Sequence, residues 1–189
     1  MRAVIRWTSR LVALTVVGSL ASCSSSPAPS RTSSSRPSLA TPATVSPATE
    51  APAAAIERAV GAYRGMWQAY NVAVHVPDPN APGLALYATG EALRTLKEGL
   101  ESLKKQALKG TGEVAVRPKV TEIAPAMAPT RIAVKDCLDD SKSKIVRAGP
   151  GAPYHDTPGG RRLTTAQVER QADGSWKVMT FGAQKVGTC

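Results

Sequence analysis

At 189 residues the chain has room for one domain of ordinary size plus appendages. Its formal net charge of +10 suits nucleic acid, anionic lipid headgroups or acidic wall polymers as partners, and suits equally a surface on which Lys and Arg merely hold water. Aromatic residues are scarce and, Trp7 apart, fall from Tyr63 onward, so the core-forming part of the chain is the later one.

Three of the ten net charges are Arg2, Arg6 and Arg10, and no acidic residue precedes Cys23, so residues 23–189 carry +7. After Arg10 comes an uncharged apolar run, Leu11 to Ala21, and then Leu20-Ala21-Ser22-Cys23. A charged start, a short apolar run and small residues at a cleavage point make a secretory signal over residues 1–22. The apolar run is about half the ~20 residues that span a bilayer as a helix. Leu-small-small-Cys resembles the lipobox of bacterial lipoproteins. That resemblance implies a diacylglycerol on the thiol of Cys23, cleavage just before it, and a membrane-anchored protein on the extracytoplasmic face. Two acyl chains, at ~0.8 kcal/mol per buried CH₂, anchor a protein where one holds it marginally. An ordinary secreted protein with a coincidental Cys is the plainer alternative. An exported chain rarely meets nucleic acid, so no nucleic-acid partner is expected; the membrane, an anionic cell-wall polymer or an envelope protein remain.

Residues 23–55 read as a linker. Ser, Pro, Ala and Thr dominate, with no helical or strand period. Such a segment buries too little apolar surface to offset its ordering entropy, so it is expected to be disordered, with Pro keeping it extended.

From about Ala53 to Val74 a helix is expected, because Ile56, Val60, Tyr63, Trp67, Tyr70 and Val74 recur at spacings of three and four. Pro77 and Pro79 stop it. After the turn cluster Asp78 to Gly83 comes a short helical piece, Leu84 to Ala88. A second long helix runs from Thr89 or Gly90 to about Leu108, with Leu93, Leu96, Leu100, Leu103 and Ala107 as its stripe and Gly110 and Gly112 closing it. The pattern then changes to strands. Glu113 to Ile123 alternates in part, and Pro118 inside it argues for an edge or a bulge. Thr130 to Leu138, Lys144 to Ala148, Arg161 to Arg170 and Trp176 to Val186 follow. Asp173-Gly174 between the last two is a strong hairpin signal. Helices first and an antiparallel sheet of four to five strands after them make an α+β domain over residues 56–189.

The order of these pieces resembles the nuclear-transport-factor-2-like superfamily, and in particular actinobacterial lipoproteins with such a domain. The matching segments are Tyr63 through Trp67 to Tyr70, Asp78 to Tyr87, Val134 to Asp139, Asp173 to Val178, and Gly187-Thr188-Cys189. The resemblance implies a cone in which N-terminal helices pack on a curved antiparallel sheet. It also implies a pocket between helix and sheet, with Tyr63, Trp67 and Tyr70 as candidate lining. The small hairpin that usually precedes the last helix in that superfamily has no counterpart in the pattern.

Cys23 being assigned to lipid, Cys137 and Cys189 remain in an oxidising compartment and are most simply a disulfide that closes a loop of about fifty residues. Free thiols or an intermolecular bridge are the alternatives. Enzymes of the resembled superfamily place a Tyr, His or acidic residue inside the cone, so Tyr63, Tyr70, Asp136 and Glu169 are the candidates for moving a proton. Against this, the spacing of Tyr63, Trp67 and Tyr70 is that of core residues, and Asp136 reads as a surface strand residue. His75 and His155 read as solvent-facing. Gly159-Gly160-Arg161-Arg162 could hold an anionic group, but reads more simply as a hairpin turn with flanking charges. No Gly-x-Ser-x-Gly elbow, phosphate loop or dinucleotide fingerprint occurs, and two Cys without clustered His do not make a zinc site, so no catalytic residue, cofactor or metal is expected. The leading expectation is an extracytoplasmic lipoprotein whose domain binds a partner or small ligand without catalysis. An isomerase- or hydratase-like enzyme using the cone, and a basic wall-associated spacer, are the alternatives.

Overall fold

The computed structural model describes residues Glu50–Cys189. Cys23, the expected signal segment and the expected linker as far as residue 49 lie outside the described residues.

Helix α1 spans Pro52–His75, and Pro52 stands in its first turn, where a pre-set φ helps and a missing N–H costs nothing. Its buried face carries Ala55, Ala59, Ala62, Tyr63, Met66 and Trp67, while Ile56 and Val60 are only partly covered. The deepest stripe is therefore rotated from the one expected. Small side chains sit where the helix comes closest to its neighbours, and the β-branched pair flanks them. Residues 52–55, expected as the end of the linker, are the first turn of this helix, and Ala55 is fully buried.

Glu50 joins the fold as well. Its carboxylate accepts a hydrogen bond from Trp176 Nε1 at 3.0 Å and pairs with Arg58 Nε at 3.0 Å and, at 3.7 Å, with Arg170 Nε. A carboxylate held by an indole and two guanidinium groups fastens the start of the domain to the hairpin end of the sheet. Glu50→Ala should lower stability by about 1–3 kcal/mol, through the Trp176 indole N–H it strands and the Arg170 charge it leaves without its carboxylate. The check is a urea midpoint that falls while the slope stays constant.

Helix α2 (Pro82–Tyr87) lies against α1 where Gly65 leaves room, since a Cβ there would stand 2.6 Å from the Tyr87 ring. Helix α3 (Gly90–Lys105) buries Ala92, Leu96 and Leu100. It ends three residues short of the expected Leu108. Ala107 takes a positive φ of 52°, and Leu108–Thr111 form strand β1. The reason is packing: Leu108 and Gly110 are buried in alternation, and Gly110 sits so close to Val74 that a Cβ would lie 2.7 Å from it. Gly110 is thus a close-approach position in a strand rather than a helix cap.

Strands β2 (Lys119–Ala124), β3 (Arg131–Asp139), β5 (Arg161–Arg170) and β6 (Trp176–Ala183) form one antiparallel sheet in the order β2-β3-β5-β6, and β1 pairs with β4 (Lys144–Arg147) in a second, two-stranded one. Pro118 falls just before β2, an edge strand with a register shift between Val120 and Glu122. Asp173-Gly174 turns the β5–β6 hairpin, with Gly174 at φ +82°. Gly159-Gly160 turns no hairpin: the loop 148–160 carries the chain from the small sheet to the large one. Ile132, Val134, Asp136 and Leu138 of β3 and Thr164, Ala166 and Val168 of β5 form the buried face against the helices. The class is α+β, with N-terminal helices on an antiparallel sheet, as expected. Cys137 and Cys189 are joined by a disulfide. The tail before Cys189 runs back along β5, Gln184 N–H bonding to Leu163 O at 2.8 Å and Gly187 N–H to Arg161 O at 2.7 Å.

Candidate functional site

Two places bear on chemistry, and they are separate. The first is inside. Asp136 alternates inward on β3 and is 2% exposed, which corrects the surface position expected for it. The inference failed because Asp136 sits at an inward-facing strand position where sequence alone shows no partner. Its partners come from afar: Tyr63 of α1 donates its hydroxyl to Oδ2 at 3.1 Å, and the Arg117 backbone N–H reaches Oδ1 at 2.8 Å. Burial, and next the Asp136 charge, push the Tyr63 phenol far above its ordinary range, so it stays a hydrogen-bond donor. Trp67 stacks edge-on to Tyr63, Tyr70 and Phe181, with ring centroids 6.4, 6.0 and 5.4 Å apart. The space between helix and sheet is thus filled here by aromatic rings around a closed Tyr–Asp pair. Tyr63 is fully buried, and a substrate has no route to it without opening the core.

The second place is open. A cleft of about 290 Å³ lies at the C-terminal end of α1. Tyr70 and Val74 form its helical wall, Gly110 and Gly112 of the β1 region another, and the segments around Ser143 and Thr157 close it. Burial raises the Tyr70 phenol pKa, so its hydroxyl too stays protonated. The side-chain amide of Asn71 grips the backbone of Val114 both ways, Nδ2 donating to Val114 O at 3.4 Å and Oδ1 accepting from Val114 N–H at 3.2 Å. This clamp divides the cleft from a neighbouring hollow of about 350 Å³ that Trp67, Arg64 and His75 border. Of the candidate pocket residues, then, Tyr70 lines one hollow, Trp67 the other, and Tyr63 neither.

The cleft carries two acids and two bases. Asp140 is taken up locally: Oδ1 accepts the Gly160 N–H at 2.6 Å and Oδ2 pairs with Arg162 Nη2 at 2.8 Å. Asp156 Oδ2 accepts the Ile145 N–H at 2.6 Å, capping the edge of β4. Both are framework groups that shape loops. None of Asn71, Asp140, Ser143 and Asp156 was singled out from the sequence; their signal is only the polar turn chemistry of 139–143 and 154–160, which is common to most loops.

The other candidates fall away from both places. Glu169 lies on the far face of β5, 3.6 Å from Arg131 Nε. His75 is exposed, its Nε2 3.3 Å from Gly112 O, and His155 lies in an exposed loop. Among the described residues no cluster of three His, Cys, Asp or Glu side chains could hold a metal ion, and no helix is long and apolar enough to cross a membrane.

No family model matches the chain, and no curated protein matches it either. Solved structures do. The intermembrane-space region of the chloroplast protein ARC6 aligns with 72% of this chain and 98% of its own, at 13% identity and a TM-score of 0.47. ActVI-ORFA from Streptomyces coelicolor aligns with 70% of this chain and 96% of its own, at 12% identity and a TM-score of 0.44. A ketosteroid isomerase-like protein from Erwinia carotovora atroseptica aligns with 66% of this chain and 91% of its own, at 13% identity and a TM-score of 0.41. The chain is therefore similar in outline to structures that include a ketosteroid isomerase-like protein, at an identity that speaks only to fold.

Proposed function

We propose that the chain is an exported lipoprotein, anchored through Cys23 to the extracytoplasmic face of the cell membrane, whose nuclear-transport-factor-2-like domain binds a small ligand or an envelope partner without catalysis. The observation that carries the binding reading is the separation of the two places above. The Tyr63–Asp136 pair, the juxtaposition that proton transfer would need, is closed off, with Asp136 only 2% exposed. The open cleft instead offers carboxylates already committed to backbone N–H groups and to Arg162. An isomerase- or hydratase-like activity would require substrate to displace the aromatic packing around Tyr63.

The anchored reading rests on Leu20-Ala21-Ser22-Cys23, which resembles a lipobox, and on the charged and apolar stretches that precede it.

Cells expressing the intact chain should yield it in the membrane fraction, with label from a radioactive fatty acid. Cys23→Ala should appear in the soluble or unprocessed fraction without label. Continued acylation of the variant would end the lipoprotein reading.

A further inference from the structure

We propose that the outer face of the large sheet, beside the Cys137–Cys189 disulfide, docks a linear phosphodiester polymer whose singly charged groups lie on Arg117, Lys119, Lys135 and Arg161. This gives the envelope partner of the reading above a chemistry and a place. It rests on that reading only for where the partner is met, and it requires nothing of the cleft.

Strand register brings these residues together. Burial alternates along β3, with Ile132, Val134, Asp136 and Leu138 turned to the helices, so Lys135, Cys137 and Asp139 face away from them. Lys135 stands opposite Lys119 on β2, and Asp139 stands opposite Arg161 on β5. A bridge from Ala115 to Asp139 continues the same register ahead of β2, so Arg117, midway between Ala115 and Lys119, comes level with Cys137. Ala115, Arg117, Cys137, Asp139 and Arg161 border one hollow of about 250 Å³. Arg117, Lys119, Lys135 and Arg161 are all exposed, with the tail to Cys189 in place.

Pairing sets this end of the face apart from the other. Toward the Asp173-Gly174 hairpin, Arg131 pairs with Glu169 at 3.6 Å. At the disulfide end four cations meet one carboxylate, Asp139, and none of the four makes an ion pair among the described residues. The next acid along β2, Glu122, stands opposite Ala133 and pairs with none of them. Lys119 and Lys135 are directly opposite, and like charges so placed in a sheet destabilise it. Solvation is served by any arrangement of charges. This one is relieved by an anionic partner.

The spread of the charges says which kind. Successive outward positions are about 7 Å apart along a strand and neighbouring strands about 4.8 Å apart, so the four cations cover about 14 by 10 Å. A small anion meets one or two of them, and a linear polyanion meets all four. No large apolar side chain is exposed among them. Protein interfaces are built around apolar and aromatic anchors with charge depleted at the centre, and surface binding to a bilayer draws on buried apolar area. A phosphodiester polymer needs neither. Each repeat brings one charge and two free oxygens, which the Arg117 and Arg161 guanidinium groups can take in pairs.

The test measures binding of the full chain to fluorescently labelled poly(glycerol phosphate) by anisotropy as salt is raised. Four contacts should give a slope of log affinity against log salt of about −3, roughly a fifty-fold loss between 50 and 200 mM, with the coefficient of single-stranded polyanions. Lys119→Gln with Lys135→Gln should cut that slope by about half and weaken binding about ten-fold at low salt. Its urea midpoint should hold or rise as the repulsion goes, so lost binding is not lost folding. Arg117→Gln with Arg161→Gln should weaken binding likewise. Lys104→Gln with Lys105→Gln, exposed on α3, removes as much charge from elsewhere and should leave affinity and slope unchanged. An equal loss in that control pair would reduce the effect to net charge and overturn the site. So would undiminished binding in both sheet variants, or no binding by the parent chain. Tighter binding to poly-glutamate, or to phosphatidylglycerol vesicles, than to poly(glycerol phosphate) overturns the polymer class. The measurement is made in solution and is indifferent to acylation of Cys23, so the lipoprotein reading and this one can fail separately.

Discussion

Reduction of the Cys137–Cys189 disulfide is expected to lower the melting temperature by on the order of 10–20 °C. The two cysteines are 52 residues apart, and cross-linking a loop of that length removes enough freedom from the unfolded chain to stabilise the fold by ~4 kcal/mol in the chain-entropy account. The native state adds a local reason. Cys137 lies on the half-buried side of β3, and the tail that reaches it crosses β5, where Leu163 N–H bonds to the Thr188 hydroxyl at 2.8 Å and Gly187 N–H to Arg161 O at 2.7 Å. Without the covalent tie these bonds belong to an exposed chain end, and chain ends fray. Fraying there would loosen Arg161 and its neighbour Arg162, so the cleft should lose rigidity along with the fold. The double variant Cys137→Ser, Cys189→Ser should melt where the reduced chain melts. An oxidised sample whose two thiols alkylate without reductant, and whose melt ignores reductant, would refute the bridge.

The pairing of these cysteines was readable because it needs only arithmetic: three thiols, one assigned to lipid. The helices and the Asp173-Gly174 hairpin were readable because local periodicity and turn chemistry determine them. The end of α3 was not. Gly110 and Gly112 look like helix stops, and only the nearness of Val74 reveals that Gly110 is in a strand. Nor could Asp136 be placed. Its partners Tyr63 and Arg117 are 73 and 19 residues away, and a carboxylate on an alternating strand reads as solvent-facing until a donor is seen opposite it. The cleft was the least legible part. It is assembled from the end of a helix, a short strand and two loops, and its acids look like any turn residues until their backbone partners are known. The one local hint, Gly-Gly-Arg-Arg, was visible but had the more ordinary reading of a turn.

Asp136 also carries the second large effect. Asp136→Ala should cost about 3 kcal/mol, because it strands the fully buried Tyr63 hydroxyl and the Arg117 N–H and leaves a void. Tyr63→Phe leaves the buried carboxylate with the Arg117 N–H as its remaining donor and should cost about 1.5–3 kcal/mol. The double variant should lose less than the sum, with a coupling of about 1–2 kcal/mol, since the two side chains share one hydrogen bond. Thr164 is the control. It stands directly across from Asp136, fully buried, but its hydroxyl has no partner, so Thr164→Val should be neutral or stabilising. The pair also sets an alkaline limit. Tyr63 has its pKa raised in the fold, by burial first and Asp136 second, while the unfolded phenol titrates at about 10. Below pH ~10 neither state releases that proton, and the full stability is present. Above it the unfolded chain ionises and the folded one does not, so stability falls by about 1.4 kcal/mol per pH unit for such a group. Tyr70, raised by burial alone, adds to the same slope. Urea midpoints measured from pH 8 to 11 should therefore decline more gently in Tyr63→Phe than in the parent chain. Parallel curves, or strictly additive costs in the double variant, would show that Tyr63 and Asp136 do not act as a pair.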